Sequence, residues 1–204
     1  MEKFSLLEAV AAYWPAPNVD TDMIIRVERC TRVAKQDLGR WAFEMLRYLP
    51  DGSENPEFVL NREPWRGAKI LVCGENFGCG SSREMAVWAL AGMGIRCVIA
   101  PSFGEIFFGN CLQNGVLPVR LPRATVERLG AALLARPERA SLSVDLARQT
   151  ITDAAGAAIA FEVDALKKKA LLEGLDAISL TLTREAEIAH WQARDRRRRP
   201  WIYA

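Results

Sequence analysis

Hydrophobic and polar positions divide the chain into a loosely patterned first third and a strongly patterned middle. To about residue 67 the sequence is punctuated by Pro15, Pro17, Gly39, Pro50, Gly52, Pro56 and Pro64, and it reads as irregular. Within it, Leu38, Trp41, Ala42, Met45, Leu46 and Leu49 recur at helical spacing and predict a helix over 37–48. The cluster PDGSENP at 50–56 reads as a turn. From residue 69 the pattern sharpens. KILVC is a nearly continuous apolar run suited to a buried parallel strand. GENFGCG at 74–80 is too rich in glycine for either a helix or a strand.

A helix follows, opening at Ser81-Ser-Arg-Glu84 and stopped by Gly94, and then an apolar strand over 95–100. Ser81 with Glu84 three residues on fits a reciprocal capping box. Strand, glycine loop, helix and strand make a βαβ unit, which predicts an α/β fold with parallel strands. Further along, helices are expected over 103–114 and 125–135, with a strand at 116–121 between them. Strands over 142–152 and 158–163 flank the hairpin turn Asp153-Ala-Ala-Gly156, and helices follow over 164–173 and 184–194.

Composition narrows the function classes. At 204 residues, half of them hydrophobic, the chain is expected to form a single domain over 1–204 with a core of its own. It carries one histidine, His190, so a three-histidine metal site is impossible and the usual acid–base agent near neutral pH is nearly absent. The net charge of +2 is local: five Arg against one Asp from Arg194 onward leave −2 on the rest. Without a broad basic surface, the Arg-rich tail at 194–204 is weak evidence for nucleic-acid binding. Five cysteines with no CxxC pair suit buried thiols in a reducing cytosol. No apolar run approaches the ~18 residues of a membrane span.

The chemistry concentrates at NFGCGSSRE, residues 76–84. Glycines let backbone approach a ligand, and a helix start offers free N–H groups and a positive dipole end. Ser81, Ser82 and Arg83 there make a compact anion receptor, with Arg83 suited to a bidentate grip on a carboxylate. The same residues also describe an ordinary capped helix, and the pattern alone leaves both readings open. It is neither a Walker A nor a GxGxxG fingerprint, because Arg83 stands at the last glycine's place.

The run GENFGCGSSRE, followed by IAPSF at 99–103 and NGVLPVRL at 114–121, resembles the small subunits of 3-isopropylmalate dehydratases, within the aconitase superfamily. The resemblance extends to NVDTDMII at 18–25, NPEFVLN at 55–61 and LDAISLTL at 175–182, so it covers nearly the whole chain in order. It implies a layered, swivelling β/β/α domain that closes over a cluster-bearing large subunit, in a heterodimer or heterotetramer. It implies dehydration of a 2-hydroxy dicarboxylate and rehydration at the neighbouring carbon, a step of leucine biosynthesis in the cytoplasm. The [4Fe–4S] cluster is expected in the large subunit, with no metal bound by this chain.

Residue by residue, the resemblance makes Ser81 the catalytic base and Ser82 and Arg83 substrate contacts. It makes Asp22 and Thr21 of the DTD motif supporting residues. Asn76 either orients the loop or is a buried structural amide. A flexible substrate loop falls near 26–40, with Lys35 as a further substrate contact. Three positions depart from the family pattern: Met85 replaces its usual His, Arg26-Val27 its Pro-Lys, and Lys35-Gln36-Asp37 its Arg-Thr-Gly. Arg to Lys removes a bidentate fork and Asp37 adds a charge where the family has a glycine. These changes keep two alternatives open: a paralogous hydratase for a citraconate or methyl-substituted malate, and a non-catalytic anion-binding module.

Overall fold

The structure is a computed structural model that describes residues 1–80 and 83–203. In chain order the elements are β1 (Leu6–Trp14), α1 (Thr21–Ile24), α2 (Val27–Arg32), a 3-10 helix (Lys35–Trp41), α3 (Glu44–Arg47), β2 (Ile70–Cys73), α4 (Glu84–Met93), β3 (Cys97–Ala100), α5 (Glu105–Gln113), β4 (Leu117–Arg120) and α6 (Arg123–Ala135). The second half continues with β5 (Ser141–Asp145), β6 (Thr150–Asp153), β7 (Ala158–Ala160), α7 (Ala165–Glu173), α8 (Ala177–Leu182) and α9 (Glu185–Arg198).

The strands form one mixed sheet in the order β4-β3-β2-β1-β5-β6-β7. β1 to β4 run parallel, with Ala11 opposite Ile70 and Ile70 opposite Cys97. β5 pairs antiparallel with β1, and β6 and β7 follow as antiparallel neighbours. Every residue of β2 and β3 is buried, as expected of parallel strands covered on both faces. The predicted βαβ unit is therefore present as β2–α4–β3, and α/β is the fold class. Gly94 closes α4 at φ +101, in the left-handed conformation that glycine adopts without penalty.

Three expectations need correction. The first stretch is not irregular throughout, because β1 runs through the middle of the sheet. Its sequence, LLEAVAAYW, is rich in alanine, a weak strand former, and its buried residues do not alternate cleanly. What fixes it as a strand is pairing with residues about 60 and 130 positions away. The helix expected over 37–48 is split into the 3-10 helix and α3. Phe43 sits between them at φ +56, fully buried, with Trp14 and Phe58 ring centroids at 5.4 and 5.6 Å. The strand expected over 142–152 is a hairpin of its own, β5–β6, whose turn is tied by Arg148 N–H donating to Asp145 Oδ1 at 2.8 Å.

Candidate active site

The parallel arrangement places the carboxyl ends of β1, β2 and β3 together, which is where open α/β sheets build their ligand sites. The loop after β2 lies between the segments that leave its two neighbours. On one side Gly78 N–H donates to Val19 O at 2.7 Å, and Thr21 N–H donates to Cys79 O at 3.2 Å. On the other, Phe77 N–H donates to Ser102 O at 3.1 Å and Gly104 N–H donates to Phe77 O at 3.0 Å. The loop is thus stitched into both flanks by single bridges, Phe77 beside Phe103 and Cys79 beside Asp20. Gly78 has φ +71, and a Cβ there would lie 2.2 Å from Phe107 Cγ, so glycine is required both for conformation and for space.

The sequence-predicted residues fall into this cradle to different degrees. Ser81 and Ser82 lie outside the described residues. Arg83 is the N-cap residue of α4, and its Nη1 pairs with Asp22 Oδ1. Asp20 caps α1 by accepting from Met23 N–H at 2.7 Å. Thr21 is buried, at the start of α1. Asn76 takes the left-handed conformation at φ +56; its N–H donates to Ser102 Oγ and its Nδ2 to Asn18 Oδ1, both at 2.8 Å. It is therefore a loop-orienting amide rather than a fully buried one. The capping box does not take the expected form: Arg83 holds the N-cap, and Glu84 Oε1 instead accepts from Asn114 Nδ2 at 2.9 Å.

The segment expected as a flexible loop consists of α2 and the 3-10 helix. The 3-10 helix packs on α4 so closely that a Cβ on Gly39 would lie 2.2 Å from the Gly92 carbonyl carbon. This packing brings Lys35 to α4, where its ammonium sits 4.2 Å from the Trp88 ring centroid. Asp37 faces Arg40 at 4.0 Å, and Met85 is half-buried against the core.

Residues that sequence reasoning passed over complete the surroundings. Arg29 Nε donates to Glu44 Oε2 at 2.9 Å while its guanidinium stacks 3.4 Å from the Trp41 centroid. That hydrogen bond holds the Glu44 carboxyl below the usual carboxylate range. The thiols of Cys73, Cys97 and Cys111 are fully buried and pushed well above the ordinary range by desolvation. Among the described residues no three His, Cys, Asp or Glu side chains come together as metal ligands. His190 is exposed on α9. Among the described residues no helix is long and apolar enough to cross a membrane.

Fold and site together define an α/β domain that presents a glycine-rich loop and the paired Arg83 and Asp22 at the carboxyl ends of its parallel strands. A family model described as the aconitase C-terminal domain matches residues 1–124, and a second, described as LeuD_N, matches 127–165. The 3-isopropylmalate dehydratase small subunit of Paramagnetospirillum magneticum is 52% identical, covering 99% of this chain and 100% of its own. That of Dinoroseobacter shibae is 50% identical over the same shares. A crystal structure of the Methanocaldococcus jannaschii 3-isopropylmalate dehydratase LeuD shares the fold, with a TM-score of 0.66 at 23% identity over 91% of this chain and 98% of that one. The chain belongs to the 3-isopropylmalate dehydratase small-subunit family.

Proposed function

We propose that this chain is the small subunit of a two-subunit hydro-lyase that interconverts 2-isopropylmalate and 3-isopropylmalate by dehydration and rehydration, in leucine biosynthesis. The observation that carries the reading is full-length identity near 50% to small subunits of that name, together with an intact GCGSSRE loop. The chain acts as one swivelling domain in the cytoplasm, completed by a large subunit in a heterodimer or heterotetramer. The [4Fe–4S] cluster of the reaction belongs to that large subunit.

In this reading Ser81 removes the proton beside a substrate carboxylate. A serine hydroxyl is a poor base at neutral pH, so the developing alkoxide must be stabilised electrostatically. Two sources adjoin it in sequence: the free N–H groups that open α4 at Glu84, and the Arg83 guanidinium. Ser82 and Arg83 bind the carboxylate. Arg83 has five N–H donors in a rigid fork, so pairing Nη1 with Asp22 fixes the plane and leaves capacity for a second carboxylate. Asp22 is more than half exposed, so its contribution is orientation rather than stability. Thr21 and Asn76 hold the two flanks of the loop in register.

The test is co-expression with a cluster-bearing large subunit, anaerobic purification, and a panel of 2-isopropylmalate, 3-isopropylmalate, citraconate and methyl-substituted malates. A complex that turns over the isopropylmalates with the highest kcat/KM supports the reading. Preference for citraconate moves the chain to a paralogous hydratase. A complex without hydratase activity on any of them leaves only an anion-binding module.

A further inference from the structure

Asn114 opens the NGVLPVRL motif but has no part in the chemistry above. In the structure it is fully engaged. Its Oδ1 accepts from Trp88 Nε1 at 2.9 Å, and its Nδ2 donates to Glu84 Oε1 and to Asn110 O, each at 2.9 Å. Glu84 and Trp88 are four residues apart on α4 and so share a face of that helix. The amide at the end of α5 therefore bridges the first residue of α4, next to Arg83, to an indole one turn further along. The Lys35 ammonium lies over that indole, 4.2 Å from the ring centroid.

A lysine is a point charge on a flexible four-carbon stem and has no fixed position of its own. Here the exposed ammonium rests on an aromatic face whose plane is locked from its far edge by a hydrogen bond. The stem starts from a 3-10 helix whose Leu38 and Gly39 are buried against α4. Base and seat of Lys35 are thus both referred to α4, the helix capped by Arg83.

We propose that Trp88, anchored by Asn114, is a positioning residue that seats Lys35 for the substrate and so helps to set substrate affinity. The inference rests on the functional reading above and on the substrate contact that the family resemblance implies for Lys35. The seat lets a lysine serve where the family pattern has an arginine, by supplying from outside the rigidity that a guanidinium fork carries itself.

The test is a mutant cycle in the reconstituted complex, read as KM against kcat for 3-isopropylmalate. Lys35→Met is expected to raise KM about tenfold. Trp88→Leu is expected to raise KM about threefold, the scale of an exposed cation–π contact, with a smaller change in kcat. The double variant should be no worse than Lys35→Met alone, and Trp88→Phe should recover only part of the loss, because it keeps an aromatic face but lacks the N–H that Asn114 anchors. Multiplying KM effects, or kcat falling as far as kcat/KM, would overturn the proposal.

A second readout covers a complex that is inactive or a leucine variant that does not fold. In the isolated full chain, Lys35→Met and Asn114→Ala should each shift the Trp88 indole N–H resonance, with thermal melting as the control for folding. An indole resonance unmoved by Lys35→Met overturns the seat directly. Loss of activity in the wild-type complex, with the resonance shift present, counts against the functional reading and not against the seat.

Discussion

The two halves of the sheet run their strands differently and do different things. In the parallel half, β1 to β3 end in the Asn18–Asp22 turn, the glycine loop and the Ser102–Gly104 segment, and each end contributes hydrogen bonds to one cradle. In the antiparallel half, β5 to β7 are joined by short turns whose polar groups bond locally, such as Asp153 Oδ1 accepting from Ala155 N–H and Ala157 N–H at 2.9 Å. Parallel strands need crossovers, and crossovers gather loops at one end; hairpins return the chain at once and gather nothing. In the proposed function the antiparallel half is support, and the chemistry falls to the loops of the parallel half.

The largest expected effect separates stability from site. Ile151 is fully buried in β6, so Ile151→Ala should cost about 2–5 kcal/mol in urea unfolding while leaving KM of the surviving complex unchanged. A changed KM would break the division between the halves. Gly78→Ala should cost about 1–3 kcal/mol, through overpacking against Phe107 and a strained positive φ, and should also depress turnover. Loss of stability with full activity would show that the cradle need not be so tightly built.

A smaller effect concerns acid stability near the site. Glu44 has its pKa lowered by the hydrogen bond from Arg29, so it stabilises the fold above its unfolded value of about 4.3. That contribution is lost as pH falls below this value and through the folded pKa. Thermal melts between pH 7 and 3 should therefore show a shallower acid decline for Glu44→Gln than for wild type. The smallest effect is expected at the C-terminus. Of α9 only Asp195 is buried, so deleting residues 185–204 should change Tm by no more than about 2–4 °C.

The same contrast governs what could be read from the sequence. β2, β3 and α4 were legible because continuous apolar runs and Gly94 mark their bounds locally. β1 was not, since an alanine-rich run becomes a central strand only through distant partners. Phe43 breaks a helical pattern for the same kind of reason, an aromatic cluster assembled from Trp14 and Phe58. In the site, the pairing of Asp22 with Arg83 was foreseeable from complementary charge in two motifs. The bridge from Trp88 to Asn114 was not, because a neutral hydrogen bond across 26 positions leaves no pattern. The lone histidine was informative as a scarcity: it directs the proposed chemistry to Ser81 and Arg83.

That last point is the central claim and has one direct test. The Ser81→Ala variant, purified anaerobically with the large subunit, should form the same complex as wild type and bind 3-isopropylmalate with similar affinity. Its kcat should fall by about 10²–10⁴-fold, the range typical of a lost general base. An intact complex that turns over at the wild-type rate would contradict the account.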